Sequence, residues 1–378
     1  MHNNGANNIK NDQIKVLQII GSVVGGGVES VVLNYFKYIN HNQFRFDFIV
    51  DRNPLPYFLE SVKTYNSNIY TVTSYKSNIL AYTYQIYKIV KNGNYDIVHS
   101  HMSTMSLFPL FAAYFAGANV RILHNHTTTE KGEKIKSILK YMLRPLCKIF
   151  ATHYCACSEV AARWMYGNRW REKCHIIYDA IEINKFLYDK KIRNIIRGKI
   201  NVTDDTLVIG NVGRLVYQKN HKFLINIFSK VLKIHPNSLL ILIGDGPLKY
   251  DLIKMAKSLN IEDKIFFLGV QSNVNEWLQA IDIFIFPSWY EGLGMAAIEA
   301  QINGNYTIMS NYIPKEACIS KNSVFLNIND GATMWAEKTV KIFQSYIKNG
   351  IIDIDEKYSI NTQCHELERY YNEILRNY

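Results

Sequence analysis

Cysteine is sparse and unpaired in this 378-residue chain. Its six cysteines (Cys147, Cys155, Cys157, Cys174, Cys318 and Cys364) form no C-x-x-C and have no histidine at zinc spacing, so they read as reduced core thiols of a cytosolic protein. Long hydrophobic runs are missing as well. The most lipid-like window, Leu107 to Ala118, is about a dozen residues long and contains Pro109, short of the ~20 residues a membrane-spanning helix needs. The first apolar run, Val16 to Ile20, has strand length, with no cationic segment before it and no cleavage site after it, so no signal peptide is expected. The expected location is cytoplasmic, with a place open at the inner face of the membrane.

Acidic residues are in deficit. Lys and Arg number 43 against 32 Asp and Glu, a net charge of +11, and residues 1–182 hold 20 of those cations against 12 of the acids. A basic first half implies an anionic partner surface. The chain has no RNP, helix-turn-helix or zinc-finger pattern, so no nucleic acid is expected, and an anionic membrane face or a phosphate-bearing substrate fits better.

What is present is an alternation of strand and helix. Short β-rich runs stand at Lys15–Ile20, Phe46–Val50, Ile97–Ser100, Val120–Leu123, Tyr154–Ser158 and His175–Tyr178. After the first, Val28, Val31, Val32, Tyr35, Phe36 and Ile39 mark one face of a helix. The same grammar restarts with Leu207–Gly210, Leu239–Ile243, Lys264–Leu268, Ile283–Phe286 and Tyr306–Met309, apolar enough on both faces to be central parallel strands. The reading is α/β: two Rossmann-like doubly wound domains facing across a cleft, with residues 1–182 first, 183–355 second and a terminal helical segment at 356–378.

The strongest chemical signal is Pro287-Ser-Trp-Tyr-Glu291-Gly292-Leu-Gly294-Met295-Ala-Ala-Ile-Glu299. A strand ends in a proline turn, two glycines follow, and a helix opens near Met295. Free N–H groups at such a helix start make a phosphate seat. Glu291 and Glu299 would repel phosphate but suit sugar hydroxyls on either side of it. Gly213-Arg214-Leu-Val-Tyr-Gln-Lys219-Asn220 follows the second domain's first strand and brings two cations to the same edge, where they can stabilise a departing diphosphate. Gly244-Asp-Gly246-Pro247 adds a further glycine turn there.

In the first domain, Gly25-Gly26-Gly27-Val-Glu29 lies between strand and helix, a loop that lets backbone approach an anion but is not G-x-G-x-x-G. Two histidine pairs follow later strands: His99-Ser-His101 and His124-Asn-His126. Alternation puts each pair on one face. Without a nearby cysteine or carboxylate to complete a site, no metal is expected. Asp353-Ile-Asp355 precedes the last helix rather than following a donor-domain strand and reads as helix-start acidity. Residues 133–150 form a basic amphipathic segment in which Lys136, Lys140, Arg144 and Lys148 recur every four, opposite Ile135, Ile138, Leu139, Met142, Leu143 and Leu146. Pro145 is expected to kink it. The basic row is read as solvated and suited to anionic lipid.

Taken together, these motifs resemble the retaining GT-B glycosyltransferases of family 4, in the bacterial capsule and exopolysaccharide branch. The resemblance runs from Lys15 to Tyr371. It rests on G-G-V-E at Gly26–Glu29, S-E-V-A-A-R-W at Ser158–Trp164, G-R-L-V-Y-Q-K-N at Gly213–Asn220, G-D-G-P at Gly244–Pro247, the E-x7-E at Glu291–Glu299 and I-P-K-E at Ile313–Glu316. It implies that Arg214 and Lys219 contact a donor diphosphate, that Glu291 contacts donor-sugar hydroxyls and Glu299 the ribose, and that His126, ahead of His124, lies near the donor sugar. Gly26, Gly27, Gly213, Gly292, Gly294 and Met295 would shape the donor seat. The expected substrates are a nucleotide sugar, with UDP favoured, and a glycan or lipid-linked acceptor; no cofactor or metal is expected. The last helix, read as His365 to Tyr378, would return to the first domain as the family's does. Three places depart from the family: Gly294-Met295-Ala296-Ala297 lacks the usual proline, the seam reads Ile177-Tyr178-Asp179-Ala180-Ile181-Glu182, and Asn303-Gly304-Asn305 replaces G-x-P. The departures bear on donor-sugar identity. A nucleotide-sugar epimerase or hydrolase on the same fold, and a non-catalytic anion-binding protein, remain the alternatives at this level.

Overall fold

Strands that are apolar on both faces must be covered on both faces, and the chain meets this demand twice. The computed structural model describes residues 13–21, 27–128, 134–349 and 355–378. The first sheet holds seven parallel strands: β1 (Ile14–Gly21), β2 (Phe44–Val50), β3 (Ile69–Thr71), β4 (Ile97–Ser100), β5 (Val120–Asn125), β6 (His153–Ala156) and β7 (Cys174–Ile176), in the order 3-2-1-4-5-6-7. The second holds six: β8 (Leu207–Val212), β9 (Ser238–Ile243), β10 (Ile265–Gly269), β11 (Ile283–Phe286), β12 (Tyr306–Ser310) and β13 (Ser323–Leu326), in the order 10-9-8-11-12-13. Both are doubly wound, as expected. β3 and β13 go beyond the expected strands: three half-buried or exposed residues in one and four half-buried residues in the other carry too little apolar signal.

Each sheet reverses direction once, between β1 and β4 and again between β8 and β11. Adjacent loops diverge at such a switch and leave a crevice at the strands' carboxyl ends. The histidine pairs end β4 and β5, Arg214 follows β8 and Glu291 follows β11, so the chemistry-bearing residues are gathered at the two crevices.

The terminal helix runs Ile360–Leu375, five residues earlier than its expected start, and packs into the first sheet's core through Ile360, Cys364, Leu367, Tyr371 and Ile374. Asp355 caps the short turn before it by accepting from Lys357 N at 3.1 Å; Asp353 lies outside the described residues. Gly25 and Gly26 also lie outside them, while Gly27 opens the helix Gly27–Tyr38.

The helix Lys134–Phe150 reverses one expectation. It passes through Pro145 as a single helix, and the last two cations of its basic row are not free in solvent. Arg144 donates to the carbonyl of Trp164, and Lys148 Nζ donates to that of Tyr166 at 3.0 Å. Gly167, at φ 69°, breaks the helix to which those carbonyls belong, so the last turn before it has unpaired acceptors that cations satisfy. Turning those cations inward leaves Tyr141, Met142, Leu146 and Ile149 outward, Met142 at 67% and Ile149 at 66% exposure. The side chain of Lys136 lies outside the described residues.

The second sheet is anchored to the helix Lys190–Lys199 by a buried ion cluster. Asp282, just before β11, receives Arg193 at 2.6 Å and Arg197 at 3.1 Å, and accepts from Val208 N at 2.9 Å. All three charged residues are buried. Removing the carboxylate would strand two guanidinium groups away from water. Asp282→Ala should therefore lower unfolding stability by ~3–5 kcal/mol in denaturant titrations. A loss below about 1 kcal/mol would mean that the cluster does not hold this edge.

Candidate active site

Gly213 ends β8 at the switch, and its lack of a side chain lets Lys219 fold back across the strand end: a Cβ there would lie 3.2 Å from Lys219 Cε. The Lys219 ammonium meets Glu291 Oε1 at 2.8 Å and sits 4.8 Å from the centre of the Phe286 ring. Gln218 holds the same loop from the other side, donating to the Tyr290 carbonyl at 2.8 Å and to Glu291 Oε2 at 3.3 Å. Lys219 and Glu291 thus form an ion pair with each other, and both are largely buried. Arg214 is the exposed cation of the pair, and its side chain makes no hydrogen bond or ion pair among the described residues. Its field reaches Tyr75 of the first domain, where it and Arg52 oppose the rise in that phenol's pKa caused chiefly by burial.

Gly294, at φ 100°, turns the chain into the helix Met295–Ile302. Its N-terminal N–H groups have no side-chain cap at Gly294, which suits an anion seat at the crevice. Glu299 lies one turn in. Burial pushes its carboxyl up to about 7, with Lys219 pulling the other way, and its side chain has no hydrogen bond among the described residues. Met295 packs part-buried against the first domain's core, and Leu293, Ile298 and Ile302 share a hydrophobic cluster with Leu110, Cys157 and Ala161 of that domain.

The glutamate loop is seated on the first domain by main chain. A Cβ on Gly292 would lie 2.1 Å from the carbonyl oxygen of His126, so only glycine allows this approach. Thr128 Oγ1 donates to the Glu291 carbonyl at 3.0 Å, and Ser158 Oγ to the Gly292 carbonyl at 2.6 Å. Asn125 steadies the His126–Thr128 segment by donating to the carbonyls of Thr127 and Ala161.

His126 therefore reaches the loop through its backbone. Its ring points into the first domain: Nδ1 meets Asp179 at 2.9 Å and Nε2 meets His101 at 2.9 Å, with the side chain 2% exposed. The parallel pairing of β4 and β5 lays the two histidine pairs side by side. His99, His101 and His124 are close enough to share a cation, as are His126, Cys157 and Asp179. As they stand, the rings spend most of their nitrogens on hydrogen bonds. Burial, aided by neighbouring imidazoles, lowers the pKa of His99 to about 3 and those of His101 and His124 well below the ordinary value.

Of the residues singled out in the sequence, Lys219, Glu291, Glu299, Gly213, Gly292, Gly294 and Met295 converge, Arg214 stands at the open edge, Gly27 opens a helix in the first domain, and Gly26 is outside the described residues. Thr128, Ser158, Gln218 and Asp179 were not assigned a role. Gln218 and Ser158 fall within quoted motifs, and Asp179 within a noted departure.

Comparison with known proteins gives the family. Residues 192–348 match the family described as Glycosyl transferases group 1, and residues 25–185 match Glycosyltransferase Family 4. The EpsF protein of Bacillus subtilis (strain 168) is 30% identical over 336 residues, covering 87% of this chain and 88% of its own. An Escherichia coli chain named UDP-Gal:alpha-D-GlcNAc-diphosphoundecaprenol alpha-1,3-galactosyltransferase is 26% identical over 337 residues, covering 84% and 85%. Among solved structures, Anabaena HepE, crystallised with UDP and glucose, superposes with a TM-score of 0.80 over 95% of this chain and 100% of its own; at 17% identity the likeness is one of fold.

Gly292→Ala tests the seating directly. Overpacking against a backbone carbonyl should cost ~1–3 kcal/mol and displace the Glu291 loop, so thermal stability and turnover should fall together. Wild-type behaviour in both would show that the loop does not rest where the geometry puts it.

Proposed function

This chain belongs to the glycosyltransferases of the group 1 and family 4 type, and from that premise we propose a specific reaction. It moves a sugar from a UDP-sugar to a glycan or lipid-linked acceptor in capsule or exopolysaccharide assembly, retaining anomeric configuration and without a metal ion. The observation that carries the proposal is the convergence of Lys219, Glu291 and Glu299 around one helix start, with Arg214 at its open edge. Donor binding exchanges partners within this group. Lys219 turns from Glu291 to the diphosphate, Arg214 joins it there, and the freed Glu291 accepts from sugar hydroxyls. As the bond to the sugar breaks, charge grows on the diphosphate where the two cations already stand. Glu299 accepts from the ribose. His126 contributes at the donor sugar through its main-chain carbonyl. The UDP-bound HepE structure and the lipid-linked acceptor in the Escherichia coli relative's name support this choice of donor and acceptor.

Calorimetry with UDP and steady-state kinetics test these roles. UDP affinity should be unchanged by a chelator. Glu291→Gln should lower kcat with UDP affinity nearly kept, because a bond that strengthens in the transition state acts on turnover. Glu299→Gln should weaken UDP by ~1.5–3 kcal/mol, and Arg214→Ala should reduce both. Ionised Glu299 is the form that only accepts, and its carboxyl sits at about 7, so wild-type affinity should rise as pH passes upward through that value. Glu299→Gln should remove this component of the pH dependence. Effects inverted between the two glutamates would exchange their roles, and no effect from either would sink the reading.

Peripheral contact with an anionic membrane completes the proposal. Tyr141, Met142, Leu146 and Ile149 on one helix adjoin Phe111, Tyr114 and Phe115 on the next, an exposed apolar and aromatic face. Arg144 and Arg121 lie over the Tyr141 and Tyr114 rings. Such a face suits the headgroup boundary. Co-sedimentation with anionic vesicles should weaken in high salt and be lost on changing Met142, Leu146 and Ile149 together to Asn. Equal binding to neutral vesicles, or no loss in the triple variant, would reject the contact.

A further inference from the structure

The histidines that end β4 and β5 belong to one continuous hydrogen-bonded chain, and its far end is informative. From the cleft inward, Asp179 Oδ1 meets His126 Nδ1 at 2.9 Å, and His126 Nε2 meets His101 Nδ1 at 2.9 Å. His101 Nε2 meets Gln18 Oε1 at 2.8 Å, and Gln18 Nε2 donates to the Tyr371 hydroxyl at 3.2 Å. Tyr371 lies on the terminal helix and meets His99 Nδ1 at 2.7 Å, and His99 Nε2 meets His124 Nδ1 at 3.1 Å.

The direction of donation follows from the chemistry of these groups. An amide oxygen accepts, so with Gln18 Nε2 turned to Tyr371, His101 Nε2 must carry the hydrogen that Gln18 Oε1 receives. His101 is buried among other imidazoles and held neutral, so its Nδ1 is a lone pair that accepts from His126 Nε2. The Asp179 carboxylate accepts from His126 Nδ1. Both nitrogens of His126 therefore donate. We infer that Asp179 is a positioning residue: it holds His126 doubly protonated and thereby fixes the His126–Thr128 segment on which the Glu291 loop is seated.

The titratable groups whose pKa is moved by His126 or Asp179 are imidazoles, a thiol and a phenol. His101 and His124 face the ring from β4 and β5 and are neutral. Cys157, at the end of β6, is pushed up by burial and then by Asp179, and stays a thiol. Tyr35, on the helix beside Asp179, is likewise raised by burial and donates to the Tyr178 carbonyl at 2.6 Å. The second domain presents the main chain of Gly292. Asp179 is itself buried, so its carboxylate would be an isolated interior charge without an imidazolium partner. Charge-assisted hydrogen bonds are roughly twice as strong as neutral ones, which makes this contact a stiff anchor for the segment.

The effect on turnover rests on the role proposed for Glu291, whereas the ring's protonation does not. Nitrogen-15 NMR of the imidazoles in the full chain separates the two. The His126 resonances are identified by their loss in His126→Asn. At pH 7.5 His126 should show both ring nitrogens protonated. Asp179→Asn should shift the loss of that signature to lower pH by ~1 unit or more. Gln18→Leu, which removes the acceptor at the far end, should shift it the same way, and Gln18→Glu should preserve it. In kinetics, Asp179→Asn should move the alkaline limb of kcat to lower pH, with a smaller change in donor KM. Gln18→Leu carries the same test should Asp179→Asn fail to fold. A singly protonated His126 in the wild type overturns the proton assignment. A signature that follows Asp179 while the kcat profile stays fixed overturns the positioning role. Failure of UDP binding or of transfer would count against the reaction proposed above and leave the ring measurement standing.

Discussion

Two polypeptide backbones meet without a side chain between them where Gly292 lies against the His126 carbonyl, and the geometry of the site depends on that contact. The residues before and after Gly292 have different tasks. Glu291 faces Lys219, while Leu293 enters a core shared with the first domain. A side chain at the point between them would force the loop away from one or the other. The hydroxyls of Thr128 and Ser158 then fix the two loop carbonyls, so the position of the glutamate is set by the first domain although its sequence belongs to the second. Such a site is assembled by domain contact, and its precision is inherited from rigid strand ends rather than from a long loop.

Electrostatics explains why Lys219 and Glu291 are paired. Both are largely buried, and a lone charge there would be costly. Their mutual contact, with Gln218 on the second carboxylate oxygen, keeps each close to where it is proposed to act. Glu299 has no such partner, and burial answers instead by raising its carboxyl to about 7. Two carboxylates eight residues apart in sequence thus have different surroundings, one with an ammonium and an amide against it and the other buried without a side-chain partner.

Much of this was legible in sequence, and the limits have physical causes. Central strands stood out because they are covered on both faces and carry unbroken apolar runs. The edge strands β3 and β13 have weaker signals because one side of each is open. The glycine-rich turns and the E-x7-E were readable as an anion seat, since the requirement for free N–H groups and a helix start is local. The direction of the His126 ring was not: alternation gives the face of one strand, while the partner ring comes from the neighbouring strand and the carboxylate from the seam. The basic row on the helix 134–150 misled for the same reason. Cations at i, i+4 look solvated until a neighbouring helix ends beside them with unsatisfied carbonyls.

The seam connects these observations. The chain crosses between domains twice, at Ile181 and again at Tyr358–Ile360, and the crossings are paired: Ile181 N donates to the Tyr358 carbonyl and Ile360 N to the Ile181 carbonyl, both at 3.0 Å. Two strands held together in this way restrict a hinge, because a change in cleft angle must be taken up by the few dihedrals flanking the pair. Asp179 lies two residues from the first crossing, and Tyr371 lies on the helix that the second crossing starts. Both ends of the hinge therefore enter the same imidazole chain, one through the carboxylate on His126 and the other through the phenol on His99. A rotation that separated Asp179 from His126 would leave a buried carboxylate unpaired at the moment the His126–Thr128 segment lost its anchor. The arrangement that seats Glu291 is thus also the one that the hinge favours on electrostatic grounds.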